Sequence, residues 1–543
     1  MVFARRSTTL LAAIIASCAM VLSLTACTSD NKTVVDGQTT VTSNSAGGVA
    51  VFTPSDGITL NQQTPLNKWA KLVPDLTKAL VDAGFKKGDI NHTTSDSLDK
   101  QSRAIQDFVV DHLSNNTTDD SGIAIAPDNM TLLVAPVVEA DASTRQYGDY
   151  ISQNLSTNDA TDGEATSDGE SSEDDSSKDD SSNTESDSTA SDEQAQAVDR
   201  LVSSLKLAKE SGMHVVLLGN SIEGYKPDAF VKFSDAQTIG KLQAEKMVSK
   251  LKLDKASKDN PKYIEVLLPY TAMDEKGNAN DSTFAQEAFR GIWQVLGSYY
   301  QKGVVESPSG TLDGKSTEND WQAVAYDAAK EGSTAKVLDK RLAKTDGQST
   351  LTRIDGIITM NDYIASEVVK ELDDLGYTGS AADINPQITI SGIVGNITGK
   401  KDLSRDAVPD PIKSPENDNA NDSSSSDDDA DKDTSASDKD RDSQWPLVTG
   451  YGAYVSNIPS IVNGKQWMTG MEDRQTIATD IAQACAKLNK DEALNSMPSI
   501  RNSEVGGVKK IPTINEPLLA VSASNLKSAL IDPGYISLAD AGL

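Results

Sequence analysis

Leu132-Leu133-Val134-Ala135-Pro136-Val137-Val138 carries no polar side chain. A strand with one wet face would alternate apolar and polar residues. A short run that is apolar throughout suits a parallel sheet covered on both faces. Similar runs stand at Val49–Phe52, Val215–Leu218, Ile264–Leu268, Ile357–Met360 and Leu447–Gly450. The segments between them have helical period. Leu72, Leu76, Ala79, Leu80 and Ala83 share one face. Ile239, Leu242 and Met247 share another, and Ala285, Ala288, Phe289, Ile292, Trp293 and Leu296 a third. Strand and helix in alternation predict a doubly wound α/β architecture, with enough units for two parallel-sheet lobes.

Two tracts interrupt the alternation. The chain has 543 residues and a formal net charge of −31, and only 37% of it is hydrophobic and 5% aromatic. Ser156–Ala195 holds 14 Asp/Glu and one Lys, and Asp410–Asp442 holds 12 acidic and four basic residues. These tracts lack the apolar content to offset the entropy of ordering, and are expected to be disordered insertions between a strand and its next element. A polyanion of this kind is repelled by phosphate backbones, so nucleic acid is not an expected partner.

The N-terminus addresses the chain. Arg5-Arg6 precede an apolar run, Leu10–Leu24, too short to span a bilayer comfortably but of signal-peptide length. It ends in Leu24-Thr25-Ala26-Cys27, which resembles the lipobox of bacterial lipoproteins, in which the Cys is acylated and becomes the mature N-terminus. That resemblance implies a signal peptide at 1–26, lipidation of Cys27, and a membrane-anchored protein on the extracytoplasmic face. The Thr/Ser/Asn/Gly-rich residues 27–47 then read as a flexible tether. With Cys18 removed and Cys27 acylated, Cys485 is left without a disulfide partner, and its helical surroundings point to a buried inert thiol.

Enzyme chemistry finds little support. His92, His112 and His214 have no metal-ligand spacing, and neither a Gly-x-Ser-x-Gly elbow nor a Gly-rich phosphate loop with its Lys is present. The expectation is a non-enzyme with no cofactor and no metal.

One segment carries a family resemblance. Ser460-Ile461-Val462-Asn463-Gly464-Lys465-Gln466-Trp467-Met468-Thr469, followed by Glu472-Asp473-Arg474, is similar to a run in bacterial sugar-binding proteins of type I periplasmic architecture, with the xylose and multiple-sugar branch the nearest match. Phe233-Ser234-Asp235 before Ile239-Gly240-Lys241, Asn361-Asp362 after Gly356–Met360, Lys68-Trp69 at the first helix and the ending Asp532-Pro533-Gly534-Tyr535 fit the same family in order and spacing. The resemblance implies lobe one at 48–234, lobe two at 235–472, a return to lobe one at 473–518 and a final crossover segment at 519–543. It implies a monomer that captures a small ligand, in this family a sugar, in an inter-lobe cleft for delivery to ABC permease subunits. A sensor, adhesion or other non-transport receptor on the same scaffold with an altered cleft is the alternative.

The resemblance also nominates ligand contacts. A sugar site needs aromatic faces for the ring and charged or amide groups for its hydroxyls. Asp362 matches a family carboxylate, and it could equally cap the helix it begins. Trp321 aligns with a stacking Trp, against a core role. Lys68 stands where the family often has Arg, with Trp69 beside it read as core and Asp235 as a helix cap. Asn220 falls in Leu218-Gly219-Asn220, which replaces the family's Tyr-Asp-Arg. Tyr451, in Tyr451-Gly452, replaces its Gln-Asp, and the family's Asn pair falls near Thr283-Phe284. Losing several polar anchors is expected to alter the ligand rather than only weaken it.

Overall fold

The computed structural model describes residues 34–35, 38–39, 46–55, 65–115, 125–138, 144–157, 185–273, 280–343, 351–382 and 444–543. A first compact unit, residues 1–44, contains a short antiparallel pairing of Val34–Val35 with Gln38–Thr39, inside the segment expected to be a flexible tether. Cys27 and the apolar run before it lie outside the described residues. The remainder, Ser45–Leu543, is the second unit.

Its first sheet is built from β1 (Gly48–Pro54), β2 (Ile90–Ser95), β3 (Met130–Val134), β4 (His214–Leu218) and β5 (Ala229–Val231). These five are parallel in the order β2-β1-β3-β4-β5. β1, β3 and β4 are buried along nearly their whole length, as their unbroken apolar runs require. β2 is the edge, and its Asn91–Thr94 stretch is exposed, which is why it has no apolar run to find in the sequence. Helices α1 (Trp69–Asp82), α2 (Leu98–Asn115) and α3 (Glu185–Glu210) cover this sheet. Leu72, Leu76 and Leu80 of α1 pack on one face, and Ile105, Leu201 and Leu205 of α2 and α3 on the other.

The second sheet repeats the pattern. β6 (Lys262–Val266), β7 (Val305–Glu306), β8 (Gly356–Ile358), β9 (Leu447–Tyr451) and β10 (Met468–Met471) are parallel in the order β7-β6-β8-β9-β10. Both lobes therefore have the strand order 2-1-3-4-5, whose ligand sites lie beyond the carboxyl ends of the strands. α4 (Ala236–Leu251) and α5 (Thr283–Gln301) cover one face, and α6 (Asp362–Leu375) the other. Where α4 crosses α5 the backbones touch. A methyl group on Gly240 would lie 2.2 Å from the Ala288 carbonyl oxygen, and one on Gly291 2.0 Å from that of Gln237. Only glycine permits that approach.

The chain passes between the lobes repeatedly. β5 leads through Ser234 and Asp235 into α4. β10 leads through Glu472 and Asp473 into α7 (Arg474–Leu488), which packs with α1 on lobe one. The hairpin of β11 (Ile500–Val505) and β12 (Val508–Ile514) then extends the first sheet beside β5. β13 (Leu519–Ser522) closes the second sheet antiparallel to β10. Asp235 and Asp473 cap α4 and α7, accepting from the backbone N–H of Thr238 and Thr476. Cys485 is fully buried in α7, and burial pushes its thiol well above the usual range.

One expectation is corrected here. The first acidic tract is not an insertion as far as Ala195, because Glu185 to Ala195 are the opening turns of α3. That helix lays Ala197, Val198, Leu201, Leu205 and Ala208 on the sheet. Residues 158–184 of the tract, and the whole second tract, lie outside the described residues.

Candidate ligand-binding site

The strand ends at the lobe junction converge on a buried carboxylate. Asp362 follows β8 and is the first residue of α6. The helix cap is its neighbour Asn361, whose side chain accepts from Ile364 N–H at 2.9 Å. The Asp362 side chain turns instead toward β9 and β10. One oxygen accepts from Gln466 Nε2 at 2.7 Å. The other accepts from the Tyr454 backbone N–H at 2.9 Å and the Thr469 hydroxyl at 2.8 Å. Burial raises its pKa to about 6, against the opposing effect of these donors. The backbone beside this hub is strained, with Met360 at φ 67° and Ala453 at φ 50°. Asp362 was expected to meet ligand hydroxyls. It is fully buried, with both oxygens bonded within the protein, one of them to the Tyr454 N–H.

Three further expected contacts are also bonded within the protein. Lys68 Nζ pairs with Asp149 at 2.8 Å. Asn220 accepts from Gln153 N–H at 2.9 Å and donates to the Pro136 carbonyl at 2.9 Å. Tyr451 is fully buried and shares a hydrogen bond with the Ser234 hydroxyl. Burial, and the nearby Glu472 carboxylate, lift the Tyr451 phenol well above its usual range. Trp69 packs edge-on against Tyr150 and Phe233, in the core as expected.

Trp321 stands apart from these four. It opens a single helical turn, Trp321–Val324, and meets Tyr270 edge to face, with centroids 5.1 Å apart and planes at 84°. Together they wall a cavity of about 530 Å³ on lobe two, whose rim carries Met273, Gln322, Asp327 and Lys330. It lies just past the carboxyl end of β6, where Leu268–Pro269 pairs with Ala325–Tyr326. An aromatic wall with an amide, a carboxylate and an ammonium at its rim offers a ring face and hydroxyl partners to one ligand.

Sequence reasoning missed the segment 144–155. Gln146 Oε1 accepts from Asn361 Nδ2 at 3.0 Å, and the Gln146 carbonyl accepts from the Tyr454 hydroxyl at 2.7 Å. Tyr147 packs on Phe284 at 4.8 Å and lies 6.3 Å from Tyr451 between ring centroids. Two tyrosines flanking Gly148-Asp149 in a chain with 5% aromatic residues were the available signal.

No family model matches the sequence, and no curated protein matches it. Solved structures do. The chain is similar to an ABC transporter solute-binding protein of Clostridium phytofermentans with bound β-D-glucose, at 17% identity over 91% of this chain and 99% of that one, with a TM-score of 0.44. A carbohydrate transporter solute-binding protein of Chloroflexus aurantiacus, in complex with D-glucose, gives 17% identity, 92% and 98% coverage and a TM-score of 0.43. A Bacillus halodurans ABC transporter solute-binding protein with bound myo-inositol gives 11% identity, 90% and 98% coverage and a TM-score of 0.36. These three neighbours are transporter solute-binding proteins by their descriptions, and the likeness to them is one of fold.

Proposed function

We propose that this chain is a solute-binding lipoprotein, anchored through Cys27, that captures a small polyhydroxylated solute such as a sugar and delivers it to an ABC importer. The observation that carries the reading is the cavity walled by Tyr270 and Trp321 at the carboxyl end of β6, within a pair of sheets that share the strand order 2-1-3-4-5. Ligands of open α/β sheets sit in that position, and a volume of about 530 Å³ is within the range of small-molecule sites. The Ser460–Thr469 run and the Leu24–Cys27 motif support the transport class and the anchor. In this reading Trp321 and Tyr270 hold the ring face and Gln322, Asp327 and Lys330 pair with hydroxyls. The protein binds and releases without chemistry and acts as a monomer.

The test is a thermal-unfolding screen of the mature chain against pentoses, hexoses and cyclitols, followed by calorimetric titration. A cognate solute at 100 times its dissociation constant adds about 2.7 kcal/mol of stability. If no polyhydroxylated solute stabilises the chain, the reading fails.

A further inference from the structure

Three residues expected from the sequence to hold a ligand meet one stretch of this chain, and a fourth, Asp362, reaches it through Tyr454. Lys68 pairs with Asp149, and Asn220 accepts from Gln153 N–H. The Tyr451 ring faces Tyr147. Asp362 holds the backbone N–H of Tyr454, whose hydroxyl donates to Gln146. We propose that Thr144–Leu155 is a built-in occupant of the inter-lobe cleft, its Gln146-Tyr147 pair standing where a captured ligand would and holding the lobes together. The proposal rests on the reading of the lobe junction as the ligand-facing cleft.

The chemistry of the pair is that of a ligand. The Gln146 side-chain oxygen accepts from the Asn361 amide and its main-chain carbonyl from the Tyr454 phenol, as a hydroxyl-bearing solute would, and the Tyr147 ring takes the place of a sugar face against Phe284. Both lobes hold the segment. Toward lobe one, Asp149 N–H donates to the Asn67 carbonyl at 2.8 Å, and Tyr150 stacks on Phe233 at 4.8 Å. Gly148, at φ +99°, passes so close to Asn67 that a Cβ would sit 2.6 Å from its carbonyl oxygen. Toward lobe two, Gln146 bonds to Asn361 and Tyr454, and Tyr147 and Ile151 are buried in the hydrophobic core of that lobe. A solute using the same groups competes with it, and its apparent affinity falls by the fraction of chains in which the pair is displaced.

The experiment measures lobe separation without ligand. Lys78 on α1 and Lys370 on α6 are exposed and Cys485 is buried, so Lys78→Cys with Lys370→Cys takes a spin-label pair in the mature chain once Cys27→Ser has removed the remaining thiol. Pulsed dipolar spectroscopy of this background is expected to give one narrow distance distribution. Adding Gln146→Gly and Tyr147→Ala is expected to broaden and lengthen it. A second variant, Asn361→Ser with Tyr454→Phe, leaves the segment and the α6 cap intact and removes the lobe-two donors, and the same shift is expected. The proposal is overturned if the unmodified segment already gives a broad distribution, or if the folded Asn361→Ser/Tyr454→Phe chain keeps the narrow one. Because the distances are read with no solute present, failure of every sugar to bind would sink the functional reading and leave this result standing.

Discussion

Glu472 accepts the backbone N–H of Ser234 at 2.6 Å, joining two of the chain's passages between lobes. Ser234 leaves the first sheet for α4, and Glu472 leaves the second for α7. Each is followed by the Asp that caps the next helix. The contact is fully buried, and Tyr451 is hydrogen-bonded to the Ser234 hydroxyl beside it. A carboxylate in this position ties the hinge strands side by side, and it does so at a cost that depends on pH.

Burial, with the nearby Asp235 charge adding to it, raises Glu472 to about 7. The folded state then binds a proton more tightly than the unfolded chain does, so the contribution to stability is greatest at low pH and is lost as pH rises through about 7. Glu472→Gln keeps an acceptor for Ser234 and removes the titration. Denaturant unfolding of both chains from pH 5 to 8 should show the wild type losing stability relative to the variant, by on the order of 2–3 kcal/mol. A difference independent of pH would show that Glu472 does not titrate in this window.

Replacing Trp321 by Ala should weaken the cognate solute and also lower the stability of lobe two, because the side chain walls the cavity and is buried in the core of that lobe. Loss of a stacked aromatic is expected to cost about 1.5–3 kcal/mol, about tenfold to a hundredfold in dissociation constant. Calorimetry on the folded variant, with circular dichroism as the control, gives the answer.

Gly240→Ala should destabilise the fold by about 1–3 kcal/mol through overpacking, since its new methyl group meets the Ala288 carbonyl where α4 crosses α5. Gly376→Ala, at a left-handed helix end where a Cβ meets no atom within 4 Å, isolates the backbone effect and should cost about 1 kcal/mol. Urea midpoints of the two variants would reverse the packing argument if Gly376→Ala were the more damaging.

Cys27→Ser should abolish lipid labelling and shift the protein from the membrane fraction to the medium, as removal of a dual-acyl anchor predicts. Retention of the unlabelled variant in membranes would refute anchoring through this residue.

The fold class was legible because a parallel sheet covered on both faces demands runs that are apolar throughout, and the runs at 49–52 and 215–218 lie within β1 and β4. Strand β2 and the β11–β12 hairpin were not legible, since much of each is exposed and their sequences are correspondingly mixed. Local signals also read correctly where the interaction itself is local, as with Asp235 capping α4 three residues before Thr238. The family resemblance nominated Lys68, Asn220, Tyr451 and Asp362 as ligand contacts. It could not say what they would bind.

That was decided in three dimensions. Gln146 meets partners 215 and 308 residues further along the chain, at Asn361 and Tyr454. Gln466 and Thr469 reach Asp362 from more than 100 residues away. Hydrophobic periodicity is a property of neighbouring residues and survives in the sequence alone, so sheets, covering helices and their caps could be read from it. Satisfaction of a buried polar group depends on which distant atom the fold brings within 3 Å. Only the tertiary structure could therefore show that Asp362 is sealed inside the protein, that Trp321 stands in a cavity, and that Gln146 and Tyr147 lie between the lobes.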